Sequence, residues 1–163
     1  MKKRKNTGLS QKNRGRRAEY KVRDLFIKMG WQADRVPISG SGSIKGDVIA
    51  KKGKMQVVAE VKRMSRLPKV LLNTITSWKN GGGDVVRTND GDFIIVNASF
   101  WLKDPEMVRD IAKFLLRKNA FTITVNRLPK SIMRKLEQAE REGAVLFIVP
   151  GYKRELIVIE RLS

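Results

Sequence analysis

Asp47-Val48-Ile49-Ala50-Lys51-Lys52-Gly53-Lys54-Met55-Gln56-Val57-Val58-Ala59-Glu60-Val61-Lys62 is the stretch that decides the fold of this chain. Two apolar runs flank a Lys-Gly-Lys tip, which is the pattern of a β-hairpin. Successive side chains on a strand point to opposite faces, so Glu60 and Lys62 share one face and Val57, Ala59 and Val61 the other. A turn near Gly53 makes the residue numbers of opposed pairs sum to about 106 or 107, which sets Asp47 across from Ala59 or Glu60. Two carboxylates and an ammonium then meet at one end of the hairpin. Adjacent carboxylates raise each other's pKa unless a cation lies between them, and a divalent metal resolves that conflict. The plain alternative is a Glu and a Lys two apart on a solvated strand face, an everyday pattern.

Upstream of the hairpin, Trp31 to Val36 reads as a short strand. Pro37-Ile38-Ser39-Gly40-Ser41-Gly42-Ser43 reads as a loop, too rich in Gly and Ser for regular structure and suited to folding over a phosphate. Ala18, Val22, Leu25, Phe26 and Met29 recur at helical spacing and Gly30 supplies a stop, which predicts an amphipathic helix over 16–29. Glu19 lies three and seven residues before Val22 and Phe26, on the inner edge of that helix, where an uncompensated carboxylate is costly. An ion pair with Arg23, one turn on, accounts for Glu19 equally well. Residues 1–13 form a basic, weakly hydrophobic stretch read as a flexible arm.

Downstream, a helix-hairpin pattern occurs twice. Leu67-Pro68-Lys69 opens a helix with Leu71, Leu72, Ile75 and Trp78 on its apolar side, followed by strand Val85-Val86, a turn at Asn89-Asp90-Gly91 and strand Phe93 to Val96. Leu128-Pro129-Lys130 opens a second helix with Ile132, Met133, Leu136 and Ala139, then strand Val145 to Val149, a turn at Pro150-Gly151 and strand Leu156 to Ile159. Pro suits a first helical turn, where its missing N–H costs nothing. Duplication and the coincidence of a common pattern both account for the pair. Between the two lie a helix opened by Asp104-Pro105 that runs to about Lys118 and a strand from Phe121 to Val125.

Composition narrows the chemistry. The 163 residues contain neither Cys nor His, which removes disulfides, zinc clusters, thiol nucleophiles and imidazole mechanisms. A catalytic metal must therefore be a hard, oxygen-ligated cation such as Mg²⁺ or Mn²⁺. Lys and Arg number 35 against 16 Asp and Glu, a net charge of +19 that strains a compact fold unless a polyanion sits against it. Nucleic acid is the natural partner; an anionic membrane surface or a ribosomal-type structural role would also use such charge, but there is no basic amphipathic helix with a wide apolar face. No run of 18 or more apolar residues occurs, and the basic N-terminus lacks the apolar stretch of a signal peptide, so the expected location is cytoplasmic, in a prokaryotic cell or a virus-infected host, with no membrane partner.

From Arg14 to about Lys62 the sequence resembles the archaeal and phage-type Holliday-junction resolvases within the restriction-endonuclease-like, PD-(D/E)xK, nuclease superfamily. The resemblance is carried by Gly15 followed four residues later by Glu19, by Arg35 before the loop, by Pro37-x-Ser39-Gly40-Ser41, and by Asp47 with Glu60-Val61-Lys62. It implies an α/β fold with a mixed central β-sheet flanked by helices. Residues 14–102 are then expected to form the nuclease core, and 103–163 a C-terminal α/β extension packed on or completing it. The converse partition, with 68–127 as an insertion and the second helix-hairpin completing the core, stays open; the first keeps the core contiguous. The resemblance further implies metal ligation by Glu19, Asp47, Glu60 and the Val61 backbone carbonyl, with Lys62 at the attacking water. Ser39, Ser41 and Arg35 would lie near the scissile phosphate, and cleavage would leave a 5′-phosphate.

The position after Glu19, often Arg in those resolvases, is Tyr20. Gly46 replaces the Pro of Pro-Asp, an exchange expected to be tolerated because only a turn conformation is needed. Lys12, Arg14, Arg16, Arg17, Lys45, Lys51, Lys52, Lys54 and Arg63 are expected to track DNA phosphates without reading sequence. The expected activity is that of a metal-dependent endodeoxyribonuclease cutting four-way junctions. Alternatives are a related nuclease on flap, repair or restriction-like substrates, and a non-catalytic basic DNA-binding protein. Symmetric cutting of two strands calls for a homodimer, for which the Trp78 helix, Phe100 and Trp101 are candidate contacts, each also explicable as ordinary core.

Overall fold

The structure is a computed structural model that describes residues 7–36, 44–72, 83–151 and 154–162, with side chains of the first helix described from Lys12 onward. Helix α1 (Thr7–Lys28) leads into β1 (Gln32–Arg35) and the predicted hairpin β2 (Val48–Lys52) and β3 (Met55–Met64). Residues 69–72 are helical. There follow β4 (Gly83–Thr88), β5 (Gly91–Asn97), the short α2 (Ala98–Trp101), α3 (Pro105–Lys118), β6 (Thr122–Thr124), α4 (Lys130–Arg141), β7 (Val145–Pro150) and β8 (Ile157–Arg161). Ser39, Ser41 and Trp78 lie outside the described residues.

Helix α1 starts at Thr7, so residues 7–13 are helix where a flexible arm was expected. Polar Gln, Lys and Arg are good helix formers, and Gly8 and Gly15 cost only about 1 kcal/mol each, so lack of hydrophobicity was a poor guide there. The other end follows the sequence: Gly30 takes φ +92°, Gly30 N–H bonds Ile27 O and Trp31 N–H bonds Phe26 O at 2.9 Å, the paired bonds of a Schellman stop. Ala18, Val22 and Phe26 point inward from α1 and are buried with Ala59, Val61, Phe147 and Val149.

Among the described residues the strands form one mixed sheet in the order β1-β2-β3-β7-β8-β5-β4-β6. β3 runs parallel to β7, and β7, β8 and β5 follow antiparallel. The three central strands read as near-continuous apolar runs because both of their faces are covered. Phe147, Val149, Val158, Ile94 and Val96 face the α1 and α3 side. Leu146, Ile148, Ile157, Ile159, Phe93 and Ile95 face α4, whose Ile132, Leu136 and Ala139 pack there.

Residues 103–163 were expected to pack on the core or to complete it, and this order sets their last two strands within the sheet. β7 pairs with β3 from Ala59 to Met64 and β8 pairs with β5, so the second hairpin stands in the middle of the sheet and bridges the first half to β4 and β5. Of the two partitions, the one in which the second helix-hairpin completes the core is what the strand order follows. Trp101 is corrected too: it is fully buried and its indole N–H donates to Glu160 at 2.9 Å, so it is core and not a contact surface. Phe100 is partly buried against the same core. No helix among the described residues is long and apolar enough to cross a membrane.

Candidate active site

The hairpin register places Val48 opposite Ala59, which carries Asp47 to the level of Glu60 as the alternation predicts. The Asp47 N–H donates to Ala59 O at 2.8 Å, and its Oδ2 accepts from the Val61 N–H at 2.8 Å. Asp47 is thus tied to the acid-bearing strand by backbone at both ends. Burial pushes its carboxyl up, the Val61 N–H opposes this, and the charge of Glu19 adds to the rise while Lys62 counters it.

Gly46 makes that approach possible. Its φ is +124°, and a Cβ there would stand 2.5 Å from Val58 Cγ1 and 3.3 Å from Ala59 O. Proline, locked near φ −65°, cannot adopt this conformation. Gly46 therefore does not mimic the Pro-Asp turn, as the sequence suggested; it lets the chain enter the hairpin by a route open to glycine.

Glu60 is almost fully buried, 4% exposed. Lys62, two residues on and on the same face, brings its Nζ to 3.0 Å from Glu60 Oε2. Gln138 on α4 donates to that oxygen at 3.2 Å and to Glu142 Oε2 at 3.3 Å. Burial, a hydrogen bond with Glu142 and the charge of Asp47 raise the Glu60 pKa to about 8, against the opposing pull of Lys62. Glu142, just beyond α4, moves the other way: it accepts from Glu60, which outweighs its own burial, with Gln138, Lys62 and Lys45 helping. Near neutrality Glu60 therefore holds a proton that it shares with the Glu142 carboxylate, and Lys62 pairs with the fraction that is ionised.

Glu142 and Gln138 were not singled out in the sequence. The one available signal is that they stand four apart, hence on one side of the helix, flanking the buried Ala139. Which strand that side would meet is set by the sheet order. Glu19, by contrast, was singled out, and it lies at the margin of the cluster. It is close enough for its charge to raise Asp47, yet its Oε1 is held by Arg35 at 2.9 Å. Arg23, its other expected partner, bonds Asp24 instead at 2.8 Å. The guanidinium groups of Arg23 and Arg35 stand over the Tyr20 ring, 4.6 and 4.9 Å from its centroid. The position often occupied by Arg is thus an aromatic plate that gathers two arginines.

The donor set suits a hard cation: carboxylates predominate, and the fully buried Oε1 of Glu142 has no hydrogen-bond partner. Among the described residues no three acidic side chains stand together tightly enough to cage an ion. A proton on Glu60 does a cation's work of relieving the repulsion among these acids.

Basic residues flank the site on the α1 side. Arg14, Arg17, Lys21 and Arg63 line a hollow of about 360 Å³, and Lys12 and Arg16 are exposed along the same helix. Lys51, Lys52 and Lys54 surround the hairpin tip, about 20 Å from Asp47 at the rise of an extended strand. Lys52 is engaged there with the Met29 carbonyl at 3.5 Å.

Residues 10–75 match the family model described as archaeal Holliday junction resolvase (hjc). The match spans less than half of the chain. The matched residues include Glu19, Arg35, Asp47, Glu60, Val61 and Lys62, and exclude α4 with Gln138 and Glu142. A solved structure of Hjc from Archaeoglobus fulgidus, a Holliday junction resolvase from an archaeal hyperthermophile, is 15% identical over 87% of this chain and 72% of that chain, with a TM-score of 0.35. A score that low does not transfer the overall fold from one chain to the other. No curated protein matches the sequence.

Proposed function

We propose that this protein is a structure-selective DNA endonuclease, a Holliday-junction resolvase that hydrolyses phosphodiester bonds with water activated by Mg²⁺ or Mn²⁺. The observation that carries the reading is the convergence of Asp47, Glu60 and Lys62 at one end of a single hairpin, inside the matched residues. Asp47 and Glu60, with Glu19 and the Val61 carbonyl beside them, would hold the ion. Bound there it would supply Lewis-acid polarisation of the phosphoryl oxygen and an acidified water.

The chain's own groups do the rest. The Lys62 ammonium, 3.0 Å from Glu60, would orient the nucleophile and offset charge building on the phosphate. Arg35, held over Tyr20, stands ready to exchange Glu19 for a phosphate oxygen, an exchange that also releases Glu19 toward Asp47. Ser39 and Ser41 would add hydroxyl contacts from the loop. Lys12, Arg14, Arg16, Arg17, Lys45, Lys51, Lys52, Lys54 and Arg63 would hold flanking backbone in a salt-dependent manner. Symmetric cutting requires two such sites, hence a homodimer, working in the cytoplasm where the DNA is.

A labelled four-way junction incubated with Mg²⁺, with and without EDTA and beside Glu60→Gln, tests this. Paired nicks that are related by the junction's symmetry, abolished by EDTA and by Glu60→Gln while junction binding persists, are expected. Cutting of flaps or linear duplex in preference to junctions would reassign the substrate. Binding without cutting on any DNA would leave a non-catalytic DNA-binding protein.

A further inference from the structure

Helix α3 buries Val108 and Ala112 against the sheet and is pinned there by Arg109, whose guanidinium grips Glu160 at 2.8 and 3.1 Å. Its outer side is unusual for a surface helix. Met107, Ile111 and Phe114 are 44%, 44% and 50% exposed, and their spacing sets them in one apolar stripe along the axis. One residue before each runs a second stripe, Glu106, Asp110 and Lys113, continued by Arg117, all of them exposed. Among the described residues none of these four makes an ion pair.

The charges of that second stripe read minus, minus, plus, plus. Their spacing is symmetric about a point between Asp110 and Lys113. An antiparallel copy of the same helix is what such a row complements. A two-fold axis through that point sets Glu106 across from Arg117 of the second copy and Asp110 across from its Lys113, and symmetry repeats both pairs. Acid early and base late in a helix also suits its dipole, but the dipole asks neither for mirror spacing nor for an apolar stripe alongside. A chain with net charge +19 repels its own copy over most of its surface; this row, with two charges of each sign, does not.

We infer that two copies of this chain associate through α3, antiparallel about a two-fold axis, with Met107, Ile111 and Phe114 as the apolar seam and the charged row fixing the register. The pairing deepens the resolvase reading, because it names the face that would bring two cutting centres under one symmetry axis. It concerns a helix outside the matched residues and well separated in sequence from the acid cluster.

Sedimentation equilibrium of the full chain, without DNA or metal, reads the pairing directly. The wild type is expected at twice the mass of one chain. Glu106→Lys with Asp110→Lys makes the row wholly basic, and Lys113→Glu with Arg117→Glu makes it wholly acidic; each double variant alone is expected to sediment as a monomer. Mixed one to one, the two should recover a dimer of one copy each, a rescue that a merely structural role for these surface residues would not produce. Phe114→Asp is expected to raise the dissociation constant at least tenfold with an unchanged melting temperature of the monomer. A monomeric wild type, dimeric double variants, or a mixture that stays monomeric would each overturn the inference. A dimer that cuts no junction would instead sink the nuclease reading alone, and a monomer that nicks one strand would sink only the pairing.

Discussion

Glu60 shows how one buried acid ties stability to function. Its pKa of about 8 against an ordinary 4.5 means that between those values the folded chain holds a proton the unfolded chain has released. Stability from this source is fully present below pH 4.5 and is lost as pH rises through about 8. Asp47, also raised, adds in the same direction; Glu142, lowered, opposes. Metal-free protein is therefore expected to lose stability across that window, followed by urea unfolding at several pH values. Glu60→Gln should flatten the decline and exceed the wild type in stability at the alkaline end. Added Mg²⁺ should restore the wild type there and leave Glu60→Gln unmoved. A wild-type stability that rises between the two pH values would contradict the buried, protonated state of Glu60.

At the scale of elements, the hairpin and helix α4 were both legible, but the contact of α4 with the acid on the hairpin was not. Period-two alternation and one turn are enough to put Asp47, Glu60 and Lys62 together, because every contact involved is local in sequence. Gly46 was legible as glycine but misread, since a positive φ leaves no trace except the residue type that tolerates it. Gln138 and Glu142 reach Glu60 across 78 residues or more, through packing of α4 on β7 that no spacing rule encodes. Their contribution is testable on its own. Glu142→Ala removes both the acceptor of the Glu60 proton and one neighbouring charge, so the Glu60 pKa should fall from about 8 toward 4.5. A carboxyl carbon resonance of Glu60 followed by NMR through a pH titration reads this directly. A titration midpoint unchanged from the wild type would show that burial alone keeps Glu60 protonated.

For the whole molecule, the sequence supports an α/β sheet with helices on both sides but is silent on strand order, because β7 carries nothing that says β3 is its neighbour. Contiguity favoured 14–102 as a core, whereas the sheet sets β7 and β8 between β3 and β5. Without residues 103–163, β3 and β5 share no ladder, and the α4 side of the sheet keeps only Leu71, Val86, Phe93 and Ile95 of its fully buried apolar residues. Residues 1–102 alone are therefore expected to show no cooperative thermal transition and little amide dispersion by NMR. Removing 73–127 and joining the ends with a Gly-Ser linker keeps α1, the ladder β1-β2-β3-β7-β8 and α4 with its contacts to Glu60. It also strips the buried Trp101, Val108 and Ala112 from one face and leaves β8 as an open edge. That variant should still unfold cooperatively, at a lower temperature than the full chain. The reverse outcome, a cooperative 1–102 and a molten deletion variant, would mean that β7 joins a core already formed, and the contiguous partition would stand.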